Sequence, residues 1–288
     1  MAALRAAAII AVLVPLTFVL IPVQWFAVRF GLSLRKRIPP FYHRFVCRIM
    51  GARVRIVGTP VKGGVLLAAN HSGWLDIPVL SMVQSISFIA KDEIDGWPFF
   101  GLLARLQETV FVRRGARAKV AQDRDIIRSR LLAGDALVIF PEGTSTDGNR
   151  VRSFKSALFG AAELPMGENE AHQVTHPRVQ PVTVAYVGLH GMPMGRENRP
   201  FFAWYGDMDL LPHLWEAFGL GPIDVQIEFH RPLTIDEAGG RKQLAAAAER
   251  AVRAGLVRAL HGGGTHSPAE DDGAVEALAD SEKEAEAA

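Results

Sequence analysis

The feature that most constrains the fold of this chain is an N-terminal run, residues 6–28, that contains no charged side chain. A run of about 20 apolar residues is long enough to cross a bilayer, and it has to be buried in lipid or in protein. Residues 29–37 contain four basic side chains, whereas only Arg5 precedes the run. Because positive charge accumulates on the cytoplasmic side of membrane segments, this asymmetry places the rest of the chain in the cytoplasm.

The shape of this segment is left open by Pro15 and Pro22, which lie inside the run. A kinked spanning helix and two short helices that dip into one leaflet both fit. A secretory signal peptide fits less well, because the run is long and no small-residue cleavage site follows it. We therefore expect residues 1–50 to form a membrane-anchoring helical segment. A composition rich in alanine and arginine hints at a bacterial source, so the expected location is the cytoplasmic face of a bacterial inner membrane.

Charge is unevenly distributed over the chain. The whole sequence carries a net charge of +2, but residues 263–288 contain eight acidic residues and one lysine, so the remaining residues carry +9. A basic, apolar-rich body suits membrane lipids or ligands that bear phosphate, and no nucleic-acid motif accompanies it. We expect no nucleic-acid partner, and we expect the acidic, alanine-rich tail at 263–288 to be disordered.

The middle of the chain alternates between short apolar segments and amphipathic ones. A continuously apolar segment such as "VLLAA" at Val65–Ala69 is typical of a buried parallel strand. We expect strands at residues 53–58, 65–69, 85–90, 109–112, 136–140, 178–187 and 223–230. We expect helices from residue 76 and at residues 96–106, 117–132, 154–164 and 245–260. This alternation predicts an α/β domain over residues 51–262, with a mixed, mostly parallel sheet flanked by helices.

A polar triplet, "NHS" at residues 70–72, directly follows the strand at Val65–Ala69, and Asp76 comes five residues after His71. A neutral histidine can take a proton from a hydroxyl near neutral pH, and a carboxylate can hold its other ring nitrogen. A substrate that brings its own hydroxyl then needs no protein nucleophile. In the alternative interpretation the two residues have no catalytic role: Asp76 only caps the helix that follows, and His71 is a polar residue at the end of a strand. His71 and Asp76 are the candidate catalytic residues.

A glycine turn follows the predicted strand at residues 136–140, in the stretch "FPEGTSTDG" at 140–148. In α/β sheets, ligands bind at the carboxyl ends of the strands. Gly143 allows backbone N–H groups to approach an anion closely, and Thr144 adds a hydroxyl donor. An ordinary surface turn has the same composition, so the turn alone does not decide between the two interpretations.

Two further strand ends carry cations. Lys91 follows the strand at 85–90, and Arg113 and Arg114 follow the strand at 109–112. Guanidinium groups bind phosphate bidentately, which suits Arg114 to an anionic headgroup. For Arg113, a solvated basic turn or a contact with lipid headgroups fits at least as well.

Together, these segments resemble the glycerolipid acyltransferase family, in particular 1-acylglycerol-3-phosphate (lysophosphatidic acid) acyltransferases. The stretch "NHSGWLD" at residues 70–76 is similar to the family's first block, whose core is histidine, four residues and aspartate. The stretches "FVRR" at 111–114, "FPEGT" at 140–144 and "VQPV" at 179–182 resemble the later blocks, in the family's order. Lys91 looks like the lysine of the family's lysine–glutamate segment.

The resemblance implies acyl transfer without a covalent acyl-enzyme, a metal or a cofactor. His71, oriented by Asp76, takes the proton from the free hydroxyl of a lysophospholipid. The oxygen attacks the thioester of acyl-CoA or acyl-carrier protein, which turns 1-acylglycerol-3-phosphate into phosphatidic acid. By family analogy, Glu142 and Gly143 help to position the glycerol backbone of this substrate, and Lys91 and Arg114 bind its phosphate. Thr144 is a further candidate substrate-binding residue.

Two departures from the family's pattern leave the acceptor open. Ser145 follows "FPEGT" where the family often has arginine, and Arg113 stands where an acidic residue is common. Acylation of lyso-ornithine lipid, whose headgroup lacks phosphate, is therefore an alternative. Residues 204–215 are similar to a stretch in bacterial lysophospholipid and lyso-ornithine-lipid acyltransferases. A non-catalytic lipid-binding protein with a degenerate site is an alternative of another class, against which the presence of both His71 and Asp76 argues.

Overall fold

The structure is a computed structural model that describes residues 1–112, 117–168 and 174–262. The expected disorder of the tail at 263–288 lies outside the described residues. The helices of the described part are, in chain order, α1 (Ala2–Arg29), α2 (Ile38–Met50), α3 (Asp76–Ser81), α4 (Phe100–Leu106), α5 (Arg117–Leu132), α6 (Leu210–Leu220), α7 (Ile235–Ala238) and α8 (Arg241–Leu260). Short 3₁₀ helices lie at Ser33–Lys36, Asp92–Gly96, Ser156–Glu163 and Arg199–Phe201.

The strands of the described part are β1 (Arg53–Gly58), β2 (Val65–Ala69), β3 (Ile86–Lys91), β4 (Val110–Val112), β5 (Ala136–Ile139), β6 (Gly167–Glu168), β7 (Val174–Thr175), β8 (Arg178–Leu189), β9 (Met192–Pro193) and β10 (Ile223–Phe229). The main sheet has the order β1-β10-β8-β2-β5-β3-β4, and β9 pairs with β8. Strands β8, β2, β5, β3 and β4 run parallel, whereas β10 is antiparallel to β8. The prediction of a mixed, mostly parallel sheet is confirmed. The carboxyl ends of the five parallel strands lie along one edge, called the carboxyl edge below.

Helices cover both faces of this sheet. One face packs against α1, α2, α3 and α6 through a core that includes Leu67 and Val182. The other packs against α5, α8 and the 3₁₀ helix Ser156–Glu163 through a core that includes Leu66 and Leu137. Leu66 and Leu67 face opposite layers because side chains alternate along a strand. Since β2 is covered on both faces, it has to be apolar at every position, which explains its sequence.

Helix α1 is one continuous helix with Pro15 and Pro22 inside it, and it is mostly exposed. Its most apolar 18-residue window has a mean hydropathy of 2.7 and is 22% buried, so by length and composition the helix could cross a membrane. A signal sequence or a core helix passes the same test, so the anchoring role is taken up below as a proposal. Ala6, Ile9 and Leu13 form its buried stripe and belong to the same core as the sheet.

Two polar side chains attach the second half of α1 to the body. The Thr17 hydroxyl lies 2.7 Å from the Tyr42 hydroxyl of α2, and Gln24 Nε2 donates to the Leu106 carbonyl at 2.8 Å. The residues of 1–50 thus pack with residues of 51–262 in one core. The predicted domain boundary at residue 50 stays a prediction.

Two helices differ from the sequence expectation. Residues 96–106 were expected to form one helix, but α4 begins only at Phe100, because Trp97 precedes Pro98 and takes an extended conformation. Residues 154–164 were expected to be α-helical, but they contain the 3₁₀ helix Ser156–Glu163, a form common in short connections.

Candidate active site

The described site residues lie along the carboxyl edge of the sheet. His71 lies just after β2, Glu142 and Gly143 lie just after β5, and Lys91 is the last residue of β3. Adjacent strands are about 4.8 Å apart, so the ends of β2 and β5 are neighbours, whereas β3 lies roughly 10 Å from β2. The parallel pairing therefore explains how residues distant in sequence share one edge.

His71 and Asp76 are brought together as a hydrogen-bonded pair, with His71 Nδ1 2.8 Å from Asp76 Oδ2. The same oxygen accepts hydrogen bonds from the backbone N–H groups of Ser72 at 2.6 Å and Gly73 at 3.0 Å. Asp76 is fully buried, whereas the His71 side chain is 22% exposed. Because the carboxylate accepts from its neighbours, the ring donates from Nδ1, and Nε2 of the neutral ring keeps its lone pair.

The alternative in which Asp76 serves only as a helix cap does not match these contacts. Asp76 is the first residue of α3, yet its Oδ2 bonds back to the loop before the helix. The carboxylate therefore shapes the loop that carries His71.

Two residues that the sequence analysis missed hold this loop on β8. The Asn70 side chain donates to the Val184 carbonyl at 2.9 Å and accepts from the Val184 N–H at 2.8 Å, which continues the β2–β8 pairing beyond β2. Two residues further along β8, the Tyr186 hydroxyl donates to Asp76 Oδ1 at 2.6 Å. A sequence signal was available, because Val182, Val184 and Tyr186 lie on one buried face and a buried tyrosine hydroxyl needs a partner.

The ring of His71 is fixed by stacking as well as by hydrogen bonding. Phe140, the first residue after β5, stacks on it with ring centroids 4.0 Å apart and an interplanar angle of 18°. Phe88 of β3 stacks on Phe140 in turn, with centroids 6.0 Å apart. Residues of three neighbouring strands or strand ends therefore determine where the imidazole lies.

Glu142 joins the ends of β5 and β2. Its Oε1 accepts from the His71 backbone N–H at 2.8 Å, and its Oε2 accepts from the Arg152 N–H at 2.7 Å. The residue is 1% exposed, and this burial raises the pKa of Glu142 to about 7, although the two N–H donors and His71 oppose the shift. Its contacts are with the backbone of the site, and the contact with a substrate that the resemblance implied stays a prediction.

Gly143 and Thr144 form the turn that follows. Gly143 has a φ of +73°, in the left-handed region that favours glycine. A Cβ at this position would lie 2.8 Å from Lys155 Nζ, so the glycine leaves room for that ammonium group beside the turn. Thr144 and Lys155 are both exposed. The turn thus presents a hydroxyl and a cation to solvent, and its contact with a substrate stays a prediction.

Lys91 and Arg114 were the cations predicted to bind a phosphate. Lys91 has an exposed side chain, and it takes part in no ion pair among the described residues. Arg114 lies outside the described residues. The headgroup contacts of both residues therefore stay predictions.

The segment after the 3₁₀ helix Arg199–Phe201 covers the loop between β2 and α3, residues 70–75, which carries His71 and is called the histidine loop below. The Trp204 N–H donates to the Ser72 carbonyl at 2.8 Å, and a Cβ on Gly73 would lie only 2.6 Å from that nitrogen. The Trp204 ring meets the ring of Trp97 edge-on, with centroids 5.8 Å apart. Phe99, which is exposed, lies two residues beyond Trp97 and contacts Phe18 of α1. The rings of Phe99, Trp97 and Trp204, called the aromatic border below, thus lie between α1 and the histidine loop.

Metal ligands form no cluster in the described part of the chain, where no group of three or more His, Cys, Asp or Glu side chains could hold an ion. The expectation that the reaction needs neither metal nor cofactor stays a prediction.

The three-layer fold, with an oriented histidine at the carboxyl edge of a parallel sheet, places the chain among α/β proteins whose site suits acid–base chemistry on a substrate hydroxyl. A family model described as Acyltransferase matches residues 53–185, which contain both His71 and Asp76. The chain also shares 46% identity over 255 residues with the lyso-ornithine lipid O-acyltransferase of Brucella abortus, covering 88% of this chain and 94% of that protein. The chain therefore belongs to the acyltransferase family.

Two more distant similarities agree with this membership. The 1-acyl-sn-glycerol-3-phosphate acyltransferase of Neisseria gonorrhoeae is 30% identical over 201 residues, which are 69% of this chain and 72% of that protein. The crystal structure of the 1-acyl-sn-glycerophosphate (LPA) acyltransferase PlsC from Thermotoga maritima superposes with a TM-score of 0.56 at 21% identity, covering 90% of this chain and 97% of that one. The latter confirms the fold, and the resemblance inferred from the sequence blocks is confirmed as well.

Proposed function

We propose that this chain transfers a fatty acyl group from acyl-CoA or acyl-carrier protein to the free hydroxyl of lyso-ornithine lipid. The observation that carries the proposal is the pairing of His71 with Asp76, which leaves Nε2 of a partly exposed ring as the proton acceptor. Acceptance of 1-acylglycerol-3-phosphate, the first interpretation of the sequence, is the second candidate.

In the proposed reaction, His71 Nε2 takes the proton of the acceptor hydroxyl as its oxygen attacks the thioester carbonyl carbon. The buried Asp76 carboxylate stabilises the imidazolium that forms. The carbon–sulfur bond then breaks, and the leaving thiolate takes the proton back from His71. The products are the diacylated lipid and a free carrier thiol, and no protein atom becomes acylated.

The choice of acceptor is supported by the relatives and by one position of the chain. Identity to the Brucella protein is 46%, against 30% to the Neisseria protein named for a phosphate-bearing acceptor. Ser145 follows the "FPEGT" turn without a positive charge. A headgroup that lacks phosphate needs fewer fixed cations at this edge, so these features favour lyso-ornithine lipid.

The proposed location is the cytoplasmic face of the membrane, with α1 as the anchor. Its exposed face is apolar, with Phe18, Val19 and Phe26 more than half exposed, while four basic residues follow within 29–37. The aromatic border of Trp97, Phe99 and Trp204 lies between this helix and the histidine loop. A lysolipid in the bilayer can then reach the site without entering water.

Acceptor profiling tests the proposal. The purified full chain is given lyso-ornithine lipid and lysophosphatidate in separate reactions, each with labelled acyl-CoA and with labelled acyl-carrier protein. We expect the label to enter ornithine lipid, and we expect His71→Ala to abolish turnover while binding to lipid vesicles persists. If only phosphatidic acid were labelled, the acceptor would be lysophosphatidate and not lyso-ornithine lipid. If His71→Ala kept full turnover, His71 would not be the base.

A further inference from the structure

The geometry points to Tyr186 as a positioning residue of the acyl transfer, acting through Asp76 on His71. This inference rests on the proposed function, because it assigns to a buried hydroxyl the task of holding the carboxylate that orients the base. No described atom of Tyr186 is placed to touch a substrate, since the residue is 1% exposed.

The first step of the argument is that Tyr186 is delivered to Asp76 by a fixed register. Strand β8 pairs with β2 up to Val182 opposite Ala69, and then continues past the end of β2 while it stays paired with β10 on its other side. The two hydrogen bonds between Asn70 and Val184 prevent this extension from sliding relative to the histidine loop. Tyr186 follows two residues later on the same face, so its hydroxyl meets Oδ1 at 2.6 Å.

The second step concerns the two oxygens of Asp76. Oδ2 accepts from His71 and from the backbone of Ser72 and Gly73, whereas the hydrogen bond to Oδ1 comes from Tyr186. In a fully buried site an oxygen without a donor carries a large desolvation cost, and a carboxylate can rotate to reduce it. The Tyr186 hydroxyl therefore keeps Oδ1 satisfied and Oδ2 directed at the ring. Burial and the neighbouring Asp76 raise the pKa of Tyr186 well above its usual value, so it remains a donor at physiological pH.

The third step is to name the other titratable groups around this cluster. From the end of β5, Glu142 reaches the His71 backbone, with a pKa of about 7. From α2, Cys47 lies near Tyr186 and has a pKa raised by burial to about 12. From the 3₁₀ helix Arg199–Phe201, the Arg199 guanidinium bonds to the Tyr186 carbonyl at 3.3 Å. Of these three groups, only Glu142 titrates near neutrality, and Glu142 is unchanged in the variants that test this inference.

The test compares Tyr186→Phe with a control variant, Tyr42→Phe, which also removes a tyrosine hydroxyl. The Tyr42 hydroxyl is hydrogen-bonded to Thr17 of α1. We expect Tyr186→Phe to lower kcat about ten- to hundredfold without changing KM for the lysolipid, and Tyr42→Phe to keep the wild-type kcat. Loss of the donor leaves the His–Asp pair holding its proton more tightly. The acid limb of the pH–rate profile should therefore move to higher pH in Tyr186→Phe alone.

A second measurement separates this role from packing. If Tyr186 acts only through Asp76, adding Tyr186→Phe to Asp76→Asn should lower kcat less than twofold further. Independent losses that multiply in the double variant, or an unmoved pH profile in Tyr186→Phe, would overturn the inference. Those results would leave the proposed function standing as long as His71→Ala is inactive, whereas an active His71→Ala would instead refute the base itself.

Discussion

Two parts of the carboxyl edge differ in how completely the protein satisfies their polar groups. In the part formed by β2, β5 and β8, the carboxylates of Asp76 and Glu142 are buried and bonded through both oxygens. In the part formed by β3 and the glycine turn, Lys91, Thr144 and Lys155 are exposed side chains. The first part is organised before any substrate arrives, whereas the second has groups available to a ligand. We infer that the first part sets the rate of acyl transfer and the second sets the choice of acceptor.

The largest expected effect comes from the buried part. Asp76→Asn keeps the size of the side chain, but an amide can donate to His71 Nδ1 and so favour the tautomer whose Nε2 carries the proton. We expect kcat to fall roughly 10³- to 10⁴-fold, by a similar factor for every acceptor that the enzyme uses. Steady-state kinetics with lyso-ornithine lipid and lysophosphatidate measure this. A loss confined to one acceptor would break the proposed division of the edge.

A smaller loss is expected for Glu142→Gln, because the amide nitrogen cannot accept the N–H of His71 or Arg152 that it would face. One buried backbone donor then lacks a partner, and the histidine loop is held less firmly. We expect kcat to fall about ten- to hundredfold with KM for the lysolipid unchanged. A raised KM with an unchanged kcat would instead support the substrate contact that the sequence resemblance implied.

The same residue predicts a pH dependence of stability. Below pH 4.5, the reference pKa of the carboxyl, Glu142 is protonated in the folded and unfolded chains alike. Between pH 4.5 and about 7 only the unfolded chain ionises, so stability relative to Glu142→Gln falls as pH rises, by roughly 3 kcal/mol in all, and then levels off. Denaturant unfolding of both proteins at several pH values measures the difference. A difference that does not vary with pH would contradict the buried, protonated state.

The buried part of the site was only half predictable from sequence. The apolar strands β2 and β5 and the order of the blocks identified His71, Asp76 and Glu142, because a buried parallel strand and the polar residues at its end are local features. Asn70 and Tyr186 were missed because their partners lie on β8, and the register between β2 and β8 is a tertiary property. The backbone partners of Glu142 could not be identified for the same reason, and its contact with a substrate stays a prediction.

The smallest expected effect belongs to the exposed part. Lys91→Ala removes a cation that has no ion pair among the described residues, so folding stability should change by less than about 0.5 kcal/mol. We expect KM for lysophosphatidate to rise several-fold, and KM for lyso-ornithine lipid to change less, because a phosphate carries more charge than a single carboxylate. Lys155→Ala removes the same charge beside β5 and tests the second exposed cation, the one at the glycine turn. Competition between the two acceptors measures the ratio directly, and a ratio that neither lysine alters would mean that discrimination lies elsewhere in the chain.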